Sequence, residues 1–392
     1  MAAATIPPFN VLVAESISQH TQIPPDQIIV LDNSDKYCPD GIKTDQPQDD
    51  EGESLAAIFG TMANLNKGAL LDKKLCTGSN PGNGGHSFRS ALLSATDELT
   101  HLAQGRKVRY VELGPEPFKS SVILTHLLNS GVHLAQYVGI DINPESELTM
   151  RAALEPIIGP NRFAYLVADF YKTSADDLPS LPGSDDSSSE VITVMTNLGF
   201  QEGNDLPSRL GPMLSRLTRP GDLLLSEMQV LPSSTPASDT SDSDSDSDLS
   251  TTSTADAKLV EEFYHHPEML KFSSLVGKKF DCNFNLSHLS PRSSPNSSSE
   301  DIAVETNNDY GYIFRLVPLQ LSDVGEVAVA TTLVSLPIPG RKGKNYVLTN
   351  SCIKYTREQF ARARETQGKF GVKGWRETGD GSVVFQIAER RH

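Results

Sequence analysis

Glycine and acidic residues follow three apolar runs of the sequence at the point where each run ends. Gly114 stands in a Glu-Leu-Gly-Pro turn after the first run, and Asp141 ends the second. Asp169 and Phe170 follow the third. Glycine lets backbone approach a ligand closely, a carboxylate accepts hydrogen bonds from ribose hydroxyls or an adenine amine, and an aromatic ring can cover the adenine. These residue types therefore predict a nucleoside-binding site.

Each of these residues also has a purely structural explanation. Gly114 could form an ordinary tight turn, and Asp141 or Asp169 could cap a turn or a helix. The class of cofactor depends on Glu116, which stands where the dinucleotide-binding fingerprint has its second glycine. Because a carboxylate there would repel a pyrophosphate, the pattern favours a nucleoside cofactor without phosphates over NAD or FAD.

The elements that must position these residues alternate between strands and helices. Apolar runs typical of buried strands alternate with segments of helical periodicity, which predicts βαβ units and a parallel sheet. Since the carboxyl ends of parallel strands meet at one edge of a sheet, we expect the three turns to lie together. The predicted strands are residues 108–113, 137–141, 163–168, 191–195 and 222–227, and the predicted helices are 118–128, 145–154 and 206–217.

A Thr-Gly-Asp-Gly turn at residues 378–381 separates two further predicted strands, 372–377 and 382–388, which follow a predicted helix at 356–366. The turn predicts a β-hairpin that places the last strand antiparallel on the edge of the sheet. A parallel α/β sheet with such a hairpin and three ligand-binding turns is typical of class I methyltransferases. We therefore predict a Rossmann-like sheet, mostly parallel with an antiparallel last strand, that binds S-adenosyl-L-methionine and carries an additional substrate-binding subdomain.

The composition argues against several kinds of partner. The chain of 392 residues has a formal net charge of −16, which argues against nucleic acid as the main partner. No apolar run approaches the ~20 residues that cross a bilayer, and no secretory signal is visible. The four cysteines lie far apart without zinc spacing, which predicts free thiols and no metal site. We expect a cytoplasmic protein, a monomer or weak homo-oligomer, that acts on a small molecule.

Shifts in composition predict five segments. Three polar stretches, 183–190, 233–256 and 287–308, have few apolar residues, and the last two are expected to be disordered. Outside them the chain shows an irregular first hundred residues with a short strand at 27–31 and a helix at 87–102, a helix at 258–272, and strands at 313–316 and 326–336. The predicted segments are an N-terminal substrate or lid segment (1–101), a cofactor-binding core (102–231), a Ser/Asp-rich insertion (232–257), a substrate-binding subdomain (258–346), and a C-terminal helix and hairpin (347–392) that complete the core.

The order of these motifs resembles the histidine-specific methyltransferase family. That family includes the histidine Nα-methyltransferases of the ergothioneine pathway and fungal N-methyltransferases that act on prenylated tryptophan. Residues 110–114 with Lys119, residues 137–141 and residues 168–170 are similar to its cofactor motifs. Residues 197–204 are similar to its Phe-Leu-Gly-x-x-x-Gly-Asn loop, and residues 351–355 to its Ser-x-Lys-Tyr segment. The resemblance covers roughly residues 108–231 and 347–388.

The resemblance implies roles for individual residues. Asn204 would orient the amino or carboxylate end of the substrate. The family holds the histidine imidazole with a Glu and a Ser, where this sequence has Asn350 and Cys352. Because an amide and a thiol cannot make the same charge-assisted contacts, we expect a substrate with a less polar side chain than histidine. The residues that would hold S-adenosylmethionine are Gly114, Lys119, Asp141, Asp169 and Phe170.

The function predicted from the sequence is N-methylation of an amino acid or an amino-acid-derived amine, in secondary metabolism. Methyl transfer needs no covalent nucleophile, and no catalytic base is assigned. The alternatives are an O- or S-methyltransferase on a small metabolite, a non-catalytic Rossmann-like binding protein, and an NAD-dependent oxidoreductase. Glu116 and the polar tracts keep the non-catalytic alternative open, whereas a histidine base in the pocket would favour the O- or S-methyltransferase.

Overall fold

A computed structural model describes most of the chain. The described residues are 8–32, 36, 51–73, 86–182, 191–232, 254–281, 284, 286, 303–307, 310–338, 340–341, 343–367 and 369–392. The polar stretch 183–190, most of the predicted disordered stretches 233–256 and 287–308, and three of the four cysteines lie outside these residues. The ends of the two longer stretches are ordered, because residues 254–256 begin a helix and residues 303–307 form a strand.

The larger sheet has seven strands in the order β11-β12-β6-β5-β2-β3-β4. All neighbouring pairs are parallel except those that involve β12. The order reverses between β2 and β5, and the central strands are largely buried, as in sheets covered on both faces. The prediction of a mostly parallel Rossmann-like sheet with an antiparallel last strand is confirmed. The strands are β2 (Lys107–Leu113), β3 (Leu134–Asp141), β4 (Phe163–Val167), β5 (Val191–Asn197), β6 (Leu223–Gln229), β11 (Phe370–Glu377) and β12 (Val383–Arg390).

The C-terminal hairpin forms as predicted, but its place in the sheet differs. Strand β12 pairs antiparallel with β6 on one side and with β11 on the other, so β11 takes the edge. The prediction that the last strand lies at the edge is therefore wrong. The physical reason is burial: the first six residues of β12 are all buried, whereas most of β11 is partly exposed and carries Lys373 and Arg376, which suit an edge strand.

Helices cover both faces of this sheet. Helices α3 (Phe88–Ala103), α4 (Pro117–Asn129) and α5 (Ser146–Ile158) pack on one face against residues such as Tyr110 and Tyr137. Helix α6 (Pro207–Leu217) covers the other face, with α9 (Arg357–Gln367) packed on it. None of the described helices is both long and apolar enough to cross a lipid bilayer.

A second sheet has five strands in the order β1-β10-β9-β8-β7. Its neighbours are antiparallel, except that β1 runs parallel to β10. Strand β10 was not predicted, and it runs across the segment boundary predicted at residue 346. The strands are β1 (Ile28–Val30), β7 (Ala303–Asn307), β8 (Tyr310–Leu321), β9 (Gly325–Leu336) and β10 (Asn345–Lys354).

Two helical predictions were wrong. The first hundred residues are not irregular, because they contain α1 (Phe9–His20) and α2 (Glu51–Leu70). Helix α1 has no side-chain cap at its start, which removes the signal that marks a helix in sequence. The single helix predicted at 258–272 is two helices, α7 (Thr254–Tyr264) and α8 (Pro267–Lys278). Pro267 occupies the first turn of α8, where its missing N–H costs nothing.

Candidate active site

A cavity of about 740 Å³ lies at the carboxyl edge of the larger sheet, where the strand order reverses between β2 and β5. Open α/β sheets bind ligands at such a reversal. The cavity brings together all the candidate site residues from the sequence. These residues are Gly114, Lys119, Asp141, Asp169, Phe170, Asn204, Asn350 and Cys352.

Two surfaces of the cavity differ in chemistry, and we call them the polar wall and the apolar wall. The polar wall consists of residues from the carboxyl ends of the strands and the turns that follow: Glu112, Gly114, Glu116, Lys119, Asp141, Asp169 and Glu227. The apolar wall consists of residues from α1, α2 and α7: Phe9, Ile58, Phe59, Met62 and Phe263. Most of the polar wall was predicted from the sequence, whereas no residue of the apolar wall was assigned to the site.

The Gly114 turn depends on the absence of a side chain. Gly114 has φ +55, and its N–H donates to the carbonyl of Ile140 at 2.9 Å. A Cβ at this position would lie 2.0 Å from Nε2 of Gln201, which donates to the Gly114 carbonyl at 3.4 Å. The loop after β5 therefore lies directly on the turn after β2, and only glycine allows this contact.

Glu116 caps a helix and is not aimed at a phosphate site. Its carboxylate accepts hydrogen bonds from the backbone N–H of Phe118 at 2.9 Å and of Lys119 at 2.5 Å, at the start of α4. Burial raises the pKa of Glu116 to about 7. In dinucleotide-binding folds, free N–H groups at a helix N-terminus bind the phosphate. Here the carboxylate of Glu116 already occupies such N–H groups, so they are not available to a phosphate. The preference for a cofactor without phosphates gains a structural reason.

Lys119 forms a buried ion pair at the base of the polar wall. Its Nζ lies 2.7 Å from Oε2 of Glu227, and both side chains are almost fully buried. The same oxygen of Glu227 accepts the N–H of Gly199 at 3.1 Å. The pair thus joins α4, β6 and the loop after β5. Sequence reasoning missed Glu227, whose signal was a charged residue at the carboxyl end of the predicted strand 222–227.

Glu112 is a second buried carboxyl of the polar wall. It accepts hydrogen bonds from the hydroxyl of Ser120 at 2.6 Å and the hydroxyl of Tyr137 at 3.1 Å. Burial, with the nearby charge of Glu116 adding to it, raises the pKa of Glu112 to about 8. Such a carboxyl is mostly neutral at pH 7, and a cation in the cavity would favour its ionised form.

Asp141 both shapes the turn after β3 and lines the cavity, so its structural and its ligand-binding interpretation are compatible. Its carboxylate accepts the backbone N–H of Asn143 at 2.8 Å, which shapes the turn after β3, and the residue also lines the cavity. Burial raises the pKa of Asp141 to about 6. The turn therefore fixes the direction of a carboxylate that faces ligand space.

Asp169 and Phe170 occupy the turn after β4. Asp169 accepts the N–H of Tyr171 at 3.0 Å and lies 3.3 Å from the Nζ of Lys172. The ring of Phe170 lies 5.0 Å from that of Tyr171, and both rings line the cavity. Tyr171 was not predicted from the sequence, although it adjoins the predicted motif.

A short 3₁₀ turn, Gln201–Asn204, brings two further polar side chains, Gln201 and Asn204, to the cavity. Between them, Glu202 is buried and pairs with the buried guanidinium of Arg364 on α9. Arg364 also donates to Ser226 at 2.8 Å and to Gln386 at 2.8 Å. This network anchors the turn to β6 and β12, so Arg364 positions cavity residues that it does not touch.

Asn350 and Cys352 approach the cavity from β10. Asn350 donates to the hydroxyl of Thr332 at 3.0 Å beside a bulge of β10. Cys352 is buried, and its sulfur lies 3.5 Å from Nζ of Lys354. Nζ of Lys354 also lies 5.0 Å from the ring centre of Phe200 and 5.3 Å from that of Tyr264, and burial lowers the pKa of this lysine. Across the residues that the structure describes, no cluster of three His, Cys, Asp or Glu side chains could hold a metal ion.

A comparison of the sequence with protein-family models finds no match, and a comparison with curated proteins finds none either. Among solved structures, the chain is similar to an S-adenosylmethionine-dependent methyltransferase of Clostridium acetobutylicum, with 7% identity, a TM-score of 0.35, and coverage of 77% of this chain and 92% of the other. It is also similar to the methyltransferase CcbJ of Streptomyces caelestis, with 11% identity, a TM-score of 0.36 and coverage of 77% and 90%. The sugar N-methyltransferase KedS8 of a Streptoalloteichus species has 11% identity, a TM-score of 0.34 and coverage of 77% and 88%.

Similarity at this level carries no argument about activity, which must rest on the cavity itself. The resemblance of the motifs to the histidine-specific family receives no support from these comparisons. What stands independently is the strand order of the larger sheet and the grouping of the candidate residues at its carboxyl edge.

Proposed function

We propose that this protein is an S-adenosylmethionine-dependent methyltransferase that acts on the nitrogen of a small amine. The observation that carries the proposal is the convergence of the Gly114 turn, Asp141 and the Asp169–Phe170 pair in one cavity at the reversal of the strand order. Small-molecule sites have volumes of roughly 300–1,000 Å³, so a cavity of about 740 Å³ has room for a nucleoside cofactor with a second molecule beside it.

The residues of the polar wall, together with the neighbouring Phe170, fit this cofactor. Asp141 would accept the ribose hydroxyls, Asp169 would accept the adenine amine, and Phe170 would cover the ring. Gly114 presents only backbone of its own to the cavity, beside the side chain of Gln201. The capping role of Glu116 removes one of the two features that kept a non-catalytic protein as an alternative, because this carboxylate stabilises a helix and need not repel a ligand.

The charge of the cavity supports a cationic cofactor and an amine acceptor. Seven carboxylic acids line it, against two lysines and one arginine, and no histidine is among the described lining residues. A negative lining attracts a sulfonium and an ammonium ion. The alternative of an O- or S-methyltransferase called for a histidine base, so the lining favours the amine. The acidic residues are Asp32, Glu112, Glu116, Asp141, Asp169, Asp205 and Glu227, and the basic residues are Lys119, Lys172 and Arg209.

When bound, S-adenosylmethionine supplies a methyl carbon that its sulfonium already activates. The work of the chain is then alignment and the exclusion of water. The polar wall holds the nucleoside, and the Lys119–Glu227 pair fixes the loop after β5 against it. The apolar wall covers the remaining side and keeps water from the reacting atoms.

The acceptor that we propose is an amino acid or an amine derived from one, with an apolar or aromatic body. Asn204 would engage its amino or carboxylate end, while Asn350 and Cys352 would contact its side chain. The apolar wall and the absence of a buried carboxylate at positions 350 and 352 support this class. A role in secondary metabolism, the compartment and the oligomeric state stay predictions of the sequence.

Calorimetry on the purified protein tests the proposal. S-adenosylmethionine and S-adenosylhomocysteine are expected to bind, and NAD is not. Transfer of a labelled methyl group to a panel of amines then tests the reaction. Binding of NAD without binding of either S-adenosyl compound would overturn the assignment of the cofactor.

A further inference from the structure

Asn197 occupies the point of the sheet where the two halves of the fold meet. It is the last residue of β5, and it pairs with Leu113 of β2 on one side and Ser226 of β6 on the other. Leu113 precedes Gly114, and Ser226 precedes Glu227. Asn197 therefore lies between the proposed cofactor turn and the buried Lys119–Glu227 pair.

The side chain of Asn197 has an unpaired acceptor. The residue is 1% exposed and lines the cavity, and its Oδ1 has no hydrogen-bond partner within the part of the chain that the structure describes. Gln201 also lines the cavity and presents a buried Oε1 without a partner there, while its Nε2 contacts Gly114. Because buried polar atoms are nearly always paired, two unpaired acceptors beside one cavity indicate a ligand that brings donors.

We infer that Asn197 Oδ1 and Gln201 Oε1 accept the N–H groups of a primary amine, and so select nitrogen over oxygen or sulfur as the methyl acceptor. The inference rests on the proposed function and specifies its substrate class. A primary amine offers two N–H donors, whereas an alcohol offers one and a thiol offers one weak donor. Only the amine can satisfy both acceptors.

This arrangement also orients the reaction. The ammonium form of the substrate loses one proton to water before attack. When both remaining N–H groups donate to Asn197 and Gln201, the lone pair of the nitrogen takes no part in these hydrogen bonds and points away from the two oxygens. The lone pair forms the N–C bond, and the electron pair of the broken S–C bond returns to sulfur, which becomes a neutral thioether. The product leaves as a methylammonium ion.

The nearby rings determine which probe suits the test. Phe200, three residues after Asn197, and Phe263 lie with ring centres 5.6 Å apart, and both line the cavity. They favour an aromatic body next to the amine. Tryptamine and tryptophol share an indole and a two-carbon chain and differ only in carrying an amine or a hydroxyl.

The experiment is calorimetric titration of each probe into protein saturated with S-adenosylhomocysteine. Wild type is expected to bind tryptamine about tenfold or more tightly than tryptophol. Asn197→Ala is expected to lose most of that preference and to keep its affinity for S-adenosylhomocysteine, whereas Asn197→Asp, which retains an acceptor oxygen, keeps the preference. Should Asn197→Ala fail to fold, Gln201→Met tests the second acceptor by the same ratio.

The outcomes separate this inference from the proposed function. Failure of wild type to bind S-adenosylhomocysteine would remove the proposed function. If S-adenosylhomocysteine binds but tryptamine does not, or binds no better than tryptophol, the inference is wrong. It is also wrong if the preference is unchanged in both Asn197→Ala and Gln201→Met.

Discussion

The polar wall and the apolar wall of the cavity come from different parts of the chain and are stabilised in different ways. Polar-wall residues sit at or just after the ends of neighbouring strands, and their carboxylates are held by backbone N–H groups, hydroxyls and two lysines. Apolar-wall residues come from helices far apart in sequence, and packing alone holds them. The first is a pre-organised charged surface, while the second is a surface whose shape can change by substitution without loss of a hydrogen bond.

The largest effect is expected from breaking the buried pair of the polar wall. Lys119→Met leaves Glu227 buried and without its cation, which costs about 3–5 kcal/mol of unfolding free energy. Urea denaturation measures this loss. The double variant Lys119→Met/Glu227→Leu serves as the control, because replacing both charges with apolar groups is expected to restore most of the stability. A single variant as stable as wild type would show that the pair contributes nothing.

The stability of the ligand-free protein is expected to fall as pH rises. Glu112 and Glu116 have an ordinary pKa of 4.5, which the fold raises to about 8 and about 7. A carboxyl with a raised pKa stabilises the folded state fully below its unfolded pKa, and this contribution is lost as pH rises through the folded pKa. Melting temperature should therefore decline between about pH 5 and pH 8.

Glu112→Gln is the matched variant for this pH dependence, since it keeps the shape of the side chain and cannot ionise. Its melting temperature should depend less on pH than that of wild type. Binding of S-adenosylmethionine near pH 7 should release protons, because the bound cation favours the ionised carboxylates. Calorimetry in buffers of different ionisation enthalpy measures this release, and an equally steep pH profile in Glu112→Gln would contradict the assignment.

A crossed pair of substitutions tests whether the two walls act separately. Asp141→Ala should weaken the binding of S-adenosylhomocysteine by about 1–3 kcal/mol, the effect of losing hydrogen bonds to a charged acceptor. Met62→Ala on the apolar wall should leave that affinity unchanged and weaken tryptamine by about 1 kcal/mol, since it removes apolar contact area. Equal effects of both variants on S-adenosylhomocysteine would mean that the walls do not divide cofactor from acceptor.

The same division explains what the sequence could predict. The polar wall follows local rules, because a turn after a buried strand carries its cavity-lining residue within one or two positions, as at Gly114 and Asp141. The larger sheet was predictable because the apolar runs of its strands and the turns after them are also local features of the sequence. The apolar wall depends on tertiary contacts: Met62 and Phe263 show only apolar character in sequence, which does not distinguish a cavity wall from an ordinary core. Asn197 was missed because its signal, an unpaired buried oxygen, exists only in three dimensions.

A further prediction concerns Asn350 and Cys352, where the apolar wall meets the second sheet. Asn350 already donates to Thr332, and Cys352 lies against Lys354, so neither offers a carboxylate to an imidazole. Leaving a buried polar group without its partner costs about 1–3 kcal/mol, so histidine should be a poorer acceptor than tryptophan by roughly tenfold or more. Methyl transfer across the amino acids measures this ratio, and Asn350→Glu/Cys352→Ser should shift it toward histidine. The carboxylate introduced at position 350 gives an imidazole N–H a charged acceptor, whereas the indole of tryptophan gains little from it. If histidine is already the best acceptor of the unmodified protein, these two positions do not select the side chain, and selection must come from the apolar wall.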